Sequence, residues 1–168
     1  MVATTTAIKK FPPEVVEYFP YTPRPGQALM VNEIYYAVQS KNSIAIEGAA
    51  GMGKTISCLS AILPICKREG CVLLYVARTH TQMQRVIEEL AAIRNKGHAL
   101  TGICLTGRAN MCLNPDIQEV GPTEAMELCQ LLRRKHKCEW YENLITKEVE
   151  TVDGCFTAEY IREFAEEI

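Results

Sequence analysis

The stretch Gly48-Ala49-Ala50-Gly51-Met52-Gly53-Lys54-Thr55 is a complete G-x-x-x-x-G-K-[ST] string, and its reading decides the fold. Its glycines let the backbone bend around a polyphosphate, so that successive N–H groups point inward as an anion nest. Lys54 is placed to reach the β- and γ-phosphates of a nucleotide, and Thr55 to set its hydroxyl on Mg²⁺. The helix expected to begin near Lys54 adds its positive N-terminal end to the same site. Residues 48–55 are therefore the candidate nucleotide contacts, with Lys54 and Thr55 as the candidate catalytic pair.

Both flanks agree with that reading. Residues 43–47 (Ser-Ile-Ala-Ile-Glu) form a short, apolar, β-branched run of the kind found in buried parallel strands. After the loop, Ile56, Leu59, Ile62 and Leu63 recur at helical spacing. Further on, residues 71–77 (Cys-Val-Leu-Leu-Tyr-Val-Ala) predict a second buried strand and residues 80–94 a helix carrying Met83, Val86, Ile87 and Leu90. Residues 103–105 predict a short third strand. This β-α-β-α-β alternation predicts an α/β fold, a phosphate-loop NTPase with a parallel sheet. Before it, residues 26–39 predict a helix, and the five prolines among residues 1–25 suggest an extended lead-in.

The alternation stops after Gly107. Residues 108–168 hold two helical stretches, about 123–135 and 157–167, joined by polar loops. We place a composition boundary at 106–107, with residues 1–106 as the nucleotide-binding part and residues 107–168 as a smaller segment. That segment is too small and too polar to fold without a staple. The chain is 168 residues long, 48% hydrophobic and 23% charged, with net charge −2, so any nucleic-acid-binding surface must be local. No run reaches membrane-span length and no secretory pattern opens the chain, so a soluble, intracellular protein without membrane partners is expected.

Eight cysteines are many for such a chain, and a disulfide framework is a poor explanation without a secretory signal. Cys58, Cys66, Cys71 and Cys104 lie in or beside apolar runs and read as core thiols. Cys112, Cys129, Cys138 and Cys155 lie in the polar final third. The long, unequal gaps between the first three differ from the paired knuckles of structural zinc. An iron–sulfur cluster, zinc and uncommitted thiols all remain open on spacing alone.

Several motifs taken together resemble the XPD (xeroderma pigmentosum group D) helicases. Residues 107–115 (Gly-Arg-Ala-Asn-Met-Cys-Leu-Asn-Pro) resemble the approach to the iron–sulfur domain of that family, where a basic residue precedes a C-x-x-P string. Tyr75-Val76-Ala77-Arg78-Thr79-His80 with Ile87-Glu88-Glu89-Leu90 is similar to helicase motif Ia. Pro25-Gly26-Gln27 is similar to the adenine-reading segment, with Gln27 in the glutamine position. Lys137-Cys138-Glu139-Trp140-Tyr141 resembles the third-cysteine segment. The compact loops look archaeal-like, and the resemblance runs from about Phe19 onward.

The resemblance implies a superfamily 2 helicase with RecA-like domains, hydrolysing ATP with Mg²⁺ and moving 5′ to 3′ on single-stranded or forked DNA in repair. It implies a [4Fe–4S] cluster held by Cys112, Cys129 and Cys138, with a fourth ligand in a Cys-Pro-Tyr-like segment expected after residue 168. Cys155 reads as a packing thiol, with substitute ligation as the alternative. Arg78, Thr79, His80 and Arg108 are implied as DNA contacts; the alternatives are a strand-end loop with a helix cap for the first three and a solvated arginine for Arg108. The basic run Arg133 to Lys137 could track a DNA strand or be a solvated helix end. Trp140 and Tyr141 read as core of the small segment before base-stacking groups.

The family's Asp-Glu-Ala-His box, which positions Mg²⁺ and the attacking water, does not occur in these residues. An N-terminal portion, an incomplete cluster segment and a catalytically incomplete chain are therefore expected. The parent enzyme is expected to be monomeric, with repair-complex partners, and cytoplasmic in an archaeal-like cell or nuclear in a eukaryote. The alternative is a phosphate-loop protein outside the helicases, such as a nucleotide kinase, with a zinc or free-thiol segment.

Overall fold

The helices begin where the chain supplies start signals, and the computed structural model describes them over residues 11–146, 148 and 152–167. Two compact units result, residues 1–100 and residues 101–168.

The first unit contains helices α1 (Pro13–Tyr18), α2 (Gln27–Gln39), α3 (Lys54–Glu69) and α4 (His80–Arg94). Helices α1, α2 and α4 all pack on α3. The buried residues of α3 include Ile56, Leu59, Ala61, Leu63 and Ile65, which meet Val15, Val31, Ile34 and Ile93 in one cluster. Removal of these side chains from water is the main favourable term for the unit. Polar ties fix the register. The Ser60 hydroxyl donates to the Tyr18 carbonyl at 2.9 Å, and Arg68 Nη1 reaches both Glu14 oxygens at 2.8 and 2.9 Å. Beyond α4, Lys96 Nζ donates to the carbonyls of Val16 and Phe19, and the His98 ring stacks on Tyr18 at 3.9 Å.

Two features differ from the sequence reading. The described part of the proline-rich lead-in is not simply extended: Pro13 occupies the first turn of α1, where its missing N–H costs nothing. Phe11, Val15, Tyr18 and Phe19 are then buried in the core, while residues 1–10 lie outside the described residues. The second difference concerns the sheet. Residues 43–47 and 71–77 make no strand pairing. Residues 72–76 nonetheless keep a strand's period-two alternation, with Leu73 and Tyr75 packed against the core and Val72, Leu74 and Val76 at least 80% exposed. A parallel strand needs ladder partners for its N–H and C=O groups. The first unit has no paired strand among the described residues.

The second unit contains β1 (Gly102–Ile103), α5 (Arg108–Met111), α6 (Pro115–Gln118), α7 (Pro122–Arg134), α8 (Glu139–Thr146), β2 (Cys155–Phe156) and α9 (Ala158–Glu167). The expected third strand thus pairs forward, parallel to β2, with Gly102 opposite Cys155. The Gly102 N–H donates to the Gly154 carbonyl at 2.8 Å and the Cys104 N–H to the Phe156 carbonyl at 3.0 Å. The ring of Phe156 stacks on Tyr160 at 4.9 Å, and Tyr160 lies parallel to Phe164 at 6.4 Å, so β2 and α9 share an aromatic row. Ile117 and Ala125 are buried where α6 meets α7. The described residues are therefore helix-rich with one small parallel sheet.

Candidate nucleotide site

The loop at residues 48–53 delivers the chain into the N-terminus of α3 at Lys54, as its glycines require. Gly51 and Gly53 both sit in the left-handed region, at φ +76° and +81°. At Gly53 a Cβ would also run into Gln27 Nε2. Lys54 Nζ donates at 2.9 Å to the carbonyl oxygens of both Gly48 and Ala49, which folds it back over the loop. Arg24 Nη1 donates to the Gly51 carbonyl. Thr55 stands at the first turn of α3.

A cleft of about 460 Å³ opens here, lined by Gln27, Gly51, Gly53, Lys54 and Thr55 together with Tyr21, Arg24, Arg85 and Glu89. That is within the range of small-molecule sites. Gln27 is 3% exposed. Its Oε1 accepts from the Arg24 backbone N–H at 2.6 Å, and its Nε2 lies 3.4 Å from both the Gly53 carbonyl and Ser57 Oγ.

The opposite wall comes from α4. Glu89 is 4% exposed and accepts from Arg85 Nη2 at 3.0 Å through Oε1, with Oε2 buried beside it. Burial, then its hydrogen bond to the Glu89 carboxylate, push Tyr21 up to about 12. Sequence reasoning took Glu89 only as part of a motif. The signal was its place on the buried stripe Val86–Glu89–Ile93, where a carboxylate needs a reason.

The remaining expected site residues lie elsewhere. Thr79 caps α4, its Oγ1 accepting from the Gln82 N–H at 3.3 Å, while the Gln82 side chain accepts from the Arg78 N–H at 3.2 Å. The side chains of Arg78 and His80 are exposed on either side of that cap. Arg108, also exposed, opens α5 in the second unit.

None of the eight cysteines forms a disulfide. Cys66 is buried and Cys58 and Cys104 are half-buried, but Cys71 is exposed at the end of α3, which corrects its reading as a core thiol. In the second unit, Cys138 is buried immediately before α8, and Cys112 and Cys129 are half-buried. A hydrogen bond to Tyr141 first, and then the nearby Cys129 and Cys138, raise Arg133, whose guanidinium lies 4.0 Å over the Tyr141 ring. Among the described residues no three metal-ligating side chains are gathered closely enough to hold a metal ion. Tyr141 sits under Arg133 and Trp140 is 39% exposed, so this aromatic pair is not a buried core. No helix among the described residues is long and apolar enough to cross a membrane.

A glycine-bent loop, a lysine folded back over it and a hydroxyl at a helix N-terminus define a phosphate-loop nucleotide-binding protein. More narrowly, the chain belongs to the DEAD_2 family, which matches residues 75–168. It is similar to a probable ATP-dependent helicase of Methanocaldococcus jannaschii, at 32% identity over 97 residues, covering 57% of this chain and 14% of that relative. The XPD helicase subunit of the general transcription and DNA repair factor IIH of Schizosaccharomyces pombe is 26% identical over 174 residues, covering 88% of this chain and 22% of that subunit. The human regulator of telomere elongation helicase 1 is 28% identical over 103 residues, covering 61% of this chain and 8% of that protein. The chain thus spans less than a quarter of the length of these curated relatives. No solved structure matches it. The resemblance to XPD-family helicases is thereby confirmed, and the reading as a phosphate-loop protein outside the helicases falls away.

Proposed function

We propose that this chain is the nucleotide-holding portion of an ATP-dependent DNA helicase of the XPD type, moving 5′ to 3′ on single-stranded or forked DNA in repair. The observation that carries the reading is the phosphate loop at the N-terminus of α3, with Lys54 and Thr55 facing a cleft of about 460 Å³. Lys54 would exchange the Gly48 and Ala49 carbonyls for the β- and γ-phosphates of ATP. Thr55 would hold Mg²⁺, and the backbone N–H groups of residues 48–53 would surround the phosphates. Residues 1–106 would then be the start of a RecA-like motor domain, and residues 107–168 the start of an inserted module.

Arg78, Thr79, His80 and Arg108 are proposed as contacts to the DNA backbone, where exposed cations and helix caps neutralise phosphates. Cys112, Cys129 and Cys138 are proposed as ligands of an iron–sulfur cluster. Family membership and the three free thiols support that assignment. The work on DNA would be intracellular, by a monomeric parent enzyme serving a repair assembly.

The test is fluorescence anisotropy of a labelled single-stranded oligonucleotide at low salt, with and without Mg·ATP. Saturable binding that weakens steeply with salt is expected. Absence of DNA binding by the folded chain would overturn the helicase reading.

A further inference from the structure

Helix α3 ends in a turn that brings two thiols together. Gly70 takes the left-handed conformation, at φ +64°, and its N–H donates to the Cys66 carbonyl. The Cys71 N–H reaches the same oxygen at 3.0 Å. This closure sets the side chain just past the helix against one in its last turn, a contact that apolar groups normally make. Here both residues are cysteine, and the Cys66 thiol is hydrogen-bonded to Cys71. Cys66 is buried, whereas Cys71 is exposed. One sulfur is therefore open to a reagent in solution, and the other is held behind it. Cys58 stands eight residues before Cys66 on α3, about 12 Å along the helix axis, too far to compete for a disulfide.

We propose that Cys66 and Cys71 form a dithiol site, which small disulfides of the oxidised glutathione class close into a reversible intramolecular disulfide. The Cys71 thiolate attacks one sulfur of oxidised glutathione, which forms a mixed disulfide and releases one glutathione thiolate. Cys66 then loses its proton to water, and its sulfur attacks the Cys71 sulfur. The second glutathione leaves as a thiolate and takes up a proton. Two protein thiols are oxidised and one glutathione disulfide is reduced to two thiols, so electrons and protons balance. Contact between the two side chains suits the Cα separation of a disulfide, about 4.4–6.8 Å. Proximity makes the second attack fast, although burial keeps the Cys66 thiol largely protonated. The bond fastens the end of α3 to residues 71–77, whose Leu73 and Tyr75 already pack against the core.

Trypsin separates the two thiols, because Lys67 and Arg68 lie between them: Cys66 falls in peptide 55–67 and Cys71 in peptide 69–78. The experiment incubates the native chain with oxidised glutathione, blocks remaining thiols with N-ethylmaleimide, and maps the tryptic peptides by mass spectrometry. Peptides 55–67 and 69–78 should be joined as the main oxidised product of Cys71. Fragmentation should place the bond at Cys66 rather than Cys58, and dithiothreitol should part the peptides. In Cys66→Ala, glutathione should stay on Cys71, at a level at least about tenfold above that in the wild type. A bond from Cys71 to any other cysteine, a lasting glutathione adduct on wild-type Cys71, or an unmodified Cys71 would overturn the proposal. The wild-type digest decides the matter even if the variant does not fold.

Discussion

Gln27 Nε2 lies 3.4 Å from the carbonyl oxygen of Gly53, and the same nitrogen occupies the space that a Cβ on Gly53 would need. The glutamine of the lead-in and the last glycine of the phosphate loop are thus fitted to one another. Gly53→Ala meets two penalties, a left-handed φ and a clash with a buried amide. It should destabilise the first unit by about 1–3 kcal/mol. Chemical denaturation measures this, and an unchanged midpoint would show that the loop accommodates a side chain there.

Removal of the other partner gives a separate outcome. Gln27→Ala leaves the Arg24 N–H without its acceptor and frees the loop from the wall of the cleft. A cost of about 1–3 kcal/mol in stability is expected from the lost buried hydrogen bonds, with weaker nucleotide binding. Urea denaturation and nucleotide titration of the same preparation check both.

The phosphate loop and the three longest helices of the first unit were legible in the sequence because their signals are local. Gly53 and Gly70 bracket α3 in left-handed conformations, and Thr79 with Gln82 starts α4 where the pattern begins. The short helix α1 was not legible, since proline is read as a breaker unless its position at a helix start is known. The pairing of Gly102–Ile103 with Cys155–Phe156 was illegible for another reason: the two runs lie some fifty residues apart in sequence, and only packing brings them together. Residues 71–77 carry a strand pattern that is realised as alternation without a ladder. At the site, Lys54 and Thr55 followed from the motif, while Glu89 required knowledge of which face of α4 is buried and what that face meets.

The cysteines should separate by reactivity. Burial, then the hydrogen bond to Cys71, push Cys66 up to about 11, whereas Cys71 is exposed at the end of α3. The thiolate is the nucleophile, so at pH 8 iodoacetamide should modify Cys71 first and leave Cys66 intact in the native chain. Peptide mapping by mass spectrometry after brief labelling reads the order. Equal labelling of the two would contradict the packing at the end of α3.

A pH effect is expected at Tyr21. Its hydroxyl is raised from the ordinary value of 10.0 to about 12 by burial and by Glu89. The folded state therefore favours the protonated form, and the resulting stabilisation is complete below pH 10 and lost between about pH 10 and 12. Tyr21→Phe should flatten that part of the stability profile in thermal melts. An identical alkaline limb in wild type and variant would place the hydroxyl away from Glu89.

The central claim is that residues 48–55 bind the phosphates of ATP through Lys54. It is tested most directly by titrating a fluorescent ATP analogue with Mg²⁺ into the wild-type chain and into Lys54→Ala, with circular dichroism confirming that both are folded. Saturable binding by the wild type, weakened at least about a hundredfold in Lys54→Ala, is the expected result, since a charge-assisted phosphate contact is lost. Equal affinity in the two chains would contradict the account.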